Sequence, residues 1–318
     1  MAPNRLVLDT DGGVDDAQTL LLLIAAGRAP DAITTVFGNV GVDAATENML
    51  ATLAVAGVDI PVHKGAAKPL NQPVIDARHI HGEDGLGGAP RPAKISRPAS
   101  DDAIGFLVTT LREAAAGGER IDILAIGPLT NLALALRGDP DIVRGIGQLT
   151  IMGGTVYGRG NVTPAAEFNI YADPEAAGIV FAAEVETVVV PWEPCASHYI
   201  SGAQVDALFE PIPDGPQKAF SEALARHARQ TIAGFGNGDN FRFVDPFAGA
   251  VVVEPGIITK SVRAAVDVSL HPGITRGMTV VDPSGRLGTP KVTLVEEARL
   301  DRLVALYQAS IAFAPNPS

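Results

Sequence analysis

Short apolar runs alternate along the chain with longer stretches of helical pattern. RLVLD (5–9), AITTVFG (32–38), IDILAIG (121–127), GQLTIMGG (147–154) and ETVVVPW (186–192) are dominated by aliphatic and β-branched residues. Near-continuous apolar runs of this length are what strands buried on both faces require. Between them lie DDAQTLLLLIAAG (15–27), DAATENMLATLAVAG (43–57), SDDAIGFLVTTLREAAAGG (100–118) and DPEAAGIVFAAE (173–184). Each opens on Asp or Ser, which accept from free N–H groups at a helix start. The first three close on Gly, which tolerates left-handed backbone at a helix end. The alternation predicts an α/β fold with a doubly wound, mostly parallel, Rossmann-like sheet. SVRAAVDVSL (261–270), RGMTVVD (276–282) and KVTLVEE (291–297) then read as strands in close succession before a last helix over 298–313. That predicts a small antiparallel C-terminal addition. No stretch reads as a linker, so residues 1–318 are expected to form a single domain.

In such a sheet ligands bind outside the carboxyl ends of the strands, so polar residues just after a strand are the first candidates for a site. LVLDTDGGVDDA (6–17) gathers Asp9, Asp11, Asp15 and Asp16 where the first strand gives way to the first helix. At a rise of ~3.3 Å per residue Asp9 and Asp11 lie ~7 Å apart on one side of the strand. Gly12 and Gly13 permit a sharp turn. The helix dipole and its free N–H groups favour one or two acids there, but not four. Two like charges ~4 Å apart repel by about 4 kcal/mol at an effective dielectric of about 20. A cation resolves the conflict, and an all-oxygen donor set points to Ca²⁺ or Mg²⁺ rather than zinc. An EF-hand is excluded because its twelfth position falls on Leu20, where Glu is needed. No P-loop motif is present. LVLDTDGG also resembles the start of haloacid-dehalogenase-type phosphatases, with Asp9 as nucleophile, Asp11 as acid and Mg²⁺ bound. That alternative leaves Asp15 and Asp16 without a role.

Further polar islands follow later strands. Asn39 ends FGN, Asn131 ends GPLTN, and NVTPAAEFN offers Asn161, Glu167 and Asn169. Asp245 precedes PFAGAVVV, and His79 and His81 sit in HIHGEDGLGG. Each alone is equally a turn, cap or loop residue; their shared position after strands is what singles them out.

Composition trims the field. The 47% hydrophobic content over 318 residues is ample for a core, with no low-complexity segment. The one cysteine, Cys195, excludes an internal disulfide and suits a reducing compartment; it reads as a core residue. A net charge of −12 without a basic cluster argues against a nucleic-acid partner. The longest aliphatic run, Leu20 to Ala26, is too short to span a bilayer, so no membrane partner is expected. RLVLD begins too early to leave room for a signal peptide, and a cytoplasmic location is expected.

DTDGGVDDA resembles the D-T-D-P-G-x-D-D-A signature of the inosine–uridine preferring nucleoside hydrolase family, with Gly12 where Pro is usual. GN (38–39), HGEDGLGG (81–88), GPLTN (127–131), MGG (152–154), N-x₅-E-F-N (161–169) and DP (245–246) follow in the family order. The resemblance implies a Ca²⁺-dependent enzyme that hydrolyses the N-glycosidic bond of ribonucleosides in purine or pyrimidine salvage, assembled as a homodimer or homotetramer. It implies that Asp11, Asp16, Asp245 and the main-chain carbonyl of Ile126 hold the ion, and that Asp11 is the general base. Asp15, Asn39 and Asn169 would then hold the ribose 2′- and 3′-hydroxyls, and Asn161 and Glu167 the 5′-hydroxyl. Asp9 would orient the ligands from behind. Family members carry His directly before the late Asp; here that position is Val244. Val neither donates a proton nor stacks on a base, so an atypical base specificity is expected, and a non-catalytic nucleoside- or ribose-binding protein stays in view. His81, Trp192, His227, Asn240 and Arg242 are the candidates for the leaving-group side. Trp192 reads more readily as core, and RHARQTIAGFGNGDNFRF (226–243) as a helix followed by a flap hinged on its glycines.

Overall fold

The structure, a computed structural model, describes residues 3–313. Its first half runs β1 (Arg5–Thr10), α1 (Val14–Ala25), β2 (Ala32–Thr35), α2 (Val42–Ala56), β3 (Val62–Lys64), α3 (Arg78–His81), α4 (Ala103–Gly117), β4 (Ile121–Ala125), α5 (Thr130–Gly138) and β5 (Ile146–Met152). The second half runs α6 (Phe168–Ala172), α7 (Pro174–Phe181), β6 (Glu186–Val190), α8 (Trp192–Ser197), β7 (Tyr199–Ser201), α9 (Gly202–Phe209), α10 (Pro216–Gly234), β8 (Asn240–Arg242), α11 (Asp245–Val253), β9 (Ile258–Val268), β10 (Thr279–Asp282), β11 (Lys291–Ala298) and α12 (Leu300–Ala312).

Nine strands form one sheet in the order β10-β9-β11-β6-β5-β4-β1-β2-β3. The run from β3 to β11 is parallel, and β9 pairs antiparallel with both β11 and β10. The doubly wound sheet and its antiparallel C-terminal edge are thus as the hydrophobic pattern predicts. β7 and β8 make a separate antiparallel pair. Alternation along β1 sends Leu6 and Leu8 into a core built with α1, α2, α10, α11 and α12. Val7 goes to the opposite core, with α4, α5 and α7. Among the described residues no helix is long and apolar enough to cross a membrane.

The chain winds one way from β1 to β2 and the other way from β1 to β4, so the order reverses beside β1. A crevice opens at such a point, where the two loops leave in opposite directions. The acid-rich turn after β1 and the turn after β4 both empty into it.

Several boundaries differ from those read in the sequence. β2 ends at Thr35 rather than at residue 38, because Val36 turns the chain toward Asn39. β3, β7 and β8 have three residues each, too short to show a period. The helix expected from 226 begins at Pro216, and its proline takes the first turn, where no N–H partner is needed. The expected flap is confined to a turn after Gly234, because Asn240–Arg242 is strand paired with Tyr199–Ser201. α1 begins at Val14 behind Gly13, so Asp15 is not its cap. Asp245 is likewise the first residue of α11 rather than its cap, which is Val244.

Gly12 lies at φ +70°, and a Cβ there would come 2.5 Å from the Ala45 Cα in α2. The left-handed region is closed to Pro, whose ring fixes φ near −65°, so the glycine gives this turn a path the usual proline cannot take. Left-handed strain of ~1–2 kcal/mol adds to the clash. Gly12→Ala is therefore expected to destabilise the protein by about 2 kcal/mol or more, read as a fall in denaturation midpoint. An unchanged midpoint would mean that the turn has another conformation.

Candidate functional site

The turn after β1 is held by its own acids. The Asp16 carboxylate accepts from Gly13 N (2.7 Å), Asp11 N (3.2 Å) and the Thr10 hydroxyl. It thereby ties the strand end to the helix start. Asp9 faces away from the crevice. Its Oδ1 accepts from Thr34 Oγ1 (2.6 Å) and Asn131 Nδ2 (2.8 Å), while Oδ2 has no partner. Asn131 also donates to the Thr35 carbonyl and accepts from Ala66 N, so it clamps β1 to β2 and to the loop after β3.

Asp15, Asp16 and Asp245 bring carboxylate oxygens within 4.8 Å of one another. This trio shares Asp16 and Asp245 with the set read in the sequence. Asp11 falls outside this mutually close trio but lies beside Asp16, whose carboxylate helps raise its pKa, and its two oxygens accept from Asn39 N (2.8 Å) and Asn39 Nδ2 (2.9 Å). Asn39 Nδ2 also donates to Asp16 (3.0 Å), so one amide bridges two acids. The Ile126 carbonyl, at the end of β4, accepts from Asn169 Nδ2 at 3.1 Å.

Burial, reinforced by neighbouring carboxylates, pushes Asp11 and Asp245 well above the ordinary carboxylate range and raises Asp16. Burial raises Asp15 to about 6 and Asp9 to about 6. Among the described residues no Lys or Arg pairs with any of these five. The nearest nitrogen base is His81, with Nδ1 3.6 Å from Asp15. Burial lowers His81 to about 4, and its Nδ1 accepts from Val14 N (3.2 Å). It is a neutral ring that braces the start of α1, not a proton donor near neutral pH.

Above the acids lies a cavity of about 430 Å³. Asp15, Asn39, Ile126, Asn161, Glu167, Asn169 and Asp245 all contribute to its wall, as do His79, His81, Trp192, His227, Arg242 and Val244. Asp11 and Asp16 lie beneath it, both wholly buried. Glu167 caps α6, accepting from Asn169 N and Ile170 N, and also takes Gly154 N; burial pushes it up to about 7. Asn161 Oδ1 accepts from Phe168 N (2.9 Å). Cys195 is fully buried.

Two leaving-group candidates sit differently from expectation. Asn240 does not reach the cavity; its amide donates to the Asn237 carbonyl (2.7 Å) and closes the turn before β8. Trp192 is half-buried wall rather than core, because the strand ends at Val190 and α8 turns the indole outward, where the Arg242 guanidinium sits 5.8 Å from the ring centroid.

Gln18, Phe168, Thr231, Phe235 and Asn237 also line the cavity and were missed in the sequence. Gln18 was within reach: it lies three residues after Asp15 and so on the same helix face. Its buried amide nitrogen has no partner.

The model of the family described as inosine-uridine preferring nucleoside hydrolase matches residues 6–305. Among curated proteins, the pyrimidine-specific ribonucleoside hydrolase RihA of Enterobacter sp. (strain 638) is 34% identical over 313 residues, covering 96% of this chain and 97% of that protein. The non-specific ribonucleoside hydrolase RihC of Salmonella paratyphi B is 37% identical over 287 residues, 90% of each. Among solved structures, the plant nucleoside hydrolase PpNRh1 superposes with a TM-score of 0.88 at 31% identity, over 98% of this chain and 99% of that one. With the acid-lined crevice beside β1 and matches that span nearly its whole length, the chain belongs to the inosine–uridine preferring nucleoside hydrolase family.

Proposed function

We propose that the enzyme hydrolyses the N-glycosidic bond of a ribonucleoside to ribose and free base, with Ca²⁺ as its resident ion. One observation carries this reading. The seven cavity-wall residues expected to meet the ion or the sugar come from five separate segments, yet line a single cavity over a trio of carboxylates.

The donor set fits a hard cation. Its members are oxygens only, no Lys or Arg among the described residues pairs with them to offset their repulsion, and buried Asp15 Oδ1 lacks a hydrogen-bond partner. Asp16, Asp245, Asp11 and the Ile126 carbonyl would hold the ion. When bound, calcium anchors a vicinal diol and makes water more acidic. In this reading Asp15, Asn39 and Asn169 take the 2′- and 3′-hydroxyls, fixing the sugar for attack. Asn161 and Glu167 take the 5′-hydroxyl. Asp11, its carboxylate held by Asn39, takes the proton of the attacking water. The surrounding acids favour the positive charge that grows on the ribose as the bond breaks. The phosphatase alternative is disfavoured by Asp9, which is 1% exposed and turned toward Thr34 and Asn131. Homo-oligomeric assembly, a cytoplasmic location and a part in nucleoside salvage belong to the same proposal, on the strength of the family resemblance.

Asp11→Asn is expected to lower kcat for ribose release by ~10²–10⁴-fold, the usual worth of a general base, with far less change in KM. Full activity of this variant across a nucleoside panel would refute the assignment.

Chelation should abolish ribose release, and Ca²⁺ should restore it better than Mg²⁺; equal rescue by Mg²⁺ would reject calcium as the preferred ion.

Removing the ion should also expose a pH dependence of stability. Asp15 rises from 3.8 to about 6 on folding, so between those values the native state holds more protons than the unfolded chain. Stability of the chelated protein should then be greatest below that window and fall as pH rises through about 6. Thermal denaturation with and without Ca²⁺ checks this: the gain from the ion should be larger near neutral pH than near pH 5. A gain that does not vary with pH would contradict it.

A further inference from the structure

The base side of the cavity lacks the usual histidine, and its remaining imidazoles are engaged or peripheral. His227 Nε2 donates to the Ile80 carbonyl (2.9 Å), and its ring packs against Gly87, where a Cβ would collide with it. His81 spends Nδ1 on Val14 N at the acid end. His79 is exposed at the rim. Val244 offers no polar atom. Arg242 differs from all of these. Among the described residues it is the only Lys or Arg in the cavity wall. Its guanidinium makes no ion pair and no side-chain hydrogen bond with them, although it is half-buried. Trp192 lies beside it at 5.8 Å and holds it by a cation–π contact. β8 fixes its backbone through the pairing of Arg242 with Tyr199, only three residues before Asp245. A partly desolvated cation with free donors, in the wall of the cavity that the carboxylates line, is arranged to receive negative charge.

Building on the nucleoside hydrolase reading, we propose that Arg242 stabilises the departing base as an anion, in place of an acid that would protonate it. The C1′–N bond breaks with both electrons going to the base. The water oxygen bonds C1′, and its proton goes to Asp11. The base leaves carrying negative charge on its ring nitrogens and carbonyl oxygens, within reach of the guanidinium donors, and afterwards takes a proton from solvent. Arg242 keeps its own proton throughout: burial lowers its proton affinity, but a guanidinium is not deprotonated in proteins. The leaving groups suited to this device are bases whose anion is delocalised onto a carbonyl oxygen.

The test compares uridine with 4-nitrophenyl β-D-ribofuranoside, whose phenolate leaves without help, using the calcium-loaded enzyme and its Arg242→Ala and Arg242→Lys variants. Arg242→Ala should lose kcat/KM for uridine by ~10²-fold or more, and at least ~30-fold more than for the nitrophenyl riboside, with part of the loss restored in Arg242→Lys. In addition, kcat for uridine should show no alkaline fall between about pH 7 and 9. Equal losses on both substrates, or no loss on uridine, would overturn the role of Arg242 while leaving the hydrolase reading intact. An alkaline fall that disappears in His79→Ala would overturn it in favour of a proton donor at the rim. A parent enzyme that releases neither uracil nor nitrophenolate would overturn both readings together.

Discussion

Repulsion among carboxylates that the sheet forces together governs this molecule. Asp11, Asp15, Asp16 and Asp245 come from the end of β1, the first turn of α1 and the first turn of α11; packing removes Asp11, Asp16 and Asp245 from water and leaves Asp15 at the cavity wall. Two charges ~4 Å apart repel by about 4 kcal/mol even at an effective dielectric of about 20. A soluble protein tolerates that only if protons or a cation share the site. The raised proton affinities of all four are the signature of the first condition, and the trio of carboxylate oxygens at the cavity suits the second.

The surrounding structure follows from that constraint. Amide and hydroxyl donors reach the acids where no cation does: Asn39 bridges Asp11 and Asp16, Thr10 serves Asp16, and Thr34 and Asn131 serve Asp9. Close approach needs small residues. A Cβ at Gly38 would collide with the Asp11 carboxylate, and one at Gly127 would come within 3.0 Å of its Cβ. The glycines that open the loops after β2 and β4 therefore exist to admit an acid. In the wall of the same cavity Arg242 contributes a positive charge beside these acids.

Much of this was legible in the chain because its logic is local. Strands buried on both faces announce themselves as aliphatic runs, and polar residues that end such runs fall at the mouth of a doubly wound sheet; Asn39, Asn169 and Asp245 were found that way. What escaped depends on tertiary geometry. Asp11 and Asp16 look alike in sequence, and nothing there shows that one Asn39 amide donates to both. Asn240 and Arg242 are two residues apart and would share a face on one strand, yet the Asn240 amide is drawn back to the Asn237 carbonyl while Arg242 lines the cavity. Trp192 read as core because proline and tryptophan extend an apolar run beyond the last residue that pairs in the sheet. Gly12 was visible as a departure from the family signature, but its positive φ was not.

The way α10 is fastened bears on how molecules enter and leave. His227 Nε2 and Thr231 Oγ1 both donate to the carbonyl of Ile80, at 2.9 and 3.1 Å, so two successive turns of this long helix are riveted to α3. The helix cannot swing as a rigid gate without breaking both bonds at once. The wall beyond this fastening is a short turn past Gly234, ended by β8, where Gly236 and Gly238 take left-handed backbone, Phe235 is 63% exposed and the hydrogen bonds are local. The doorway is thus a few residues wide. Rearrangement of so short a turn belongs to the fast end of protein motion, nanoseconds to microseconds, and traffic through it need not wait for any slow movement of the fold.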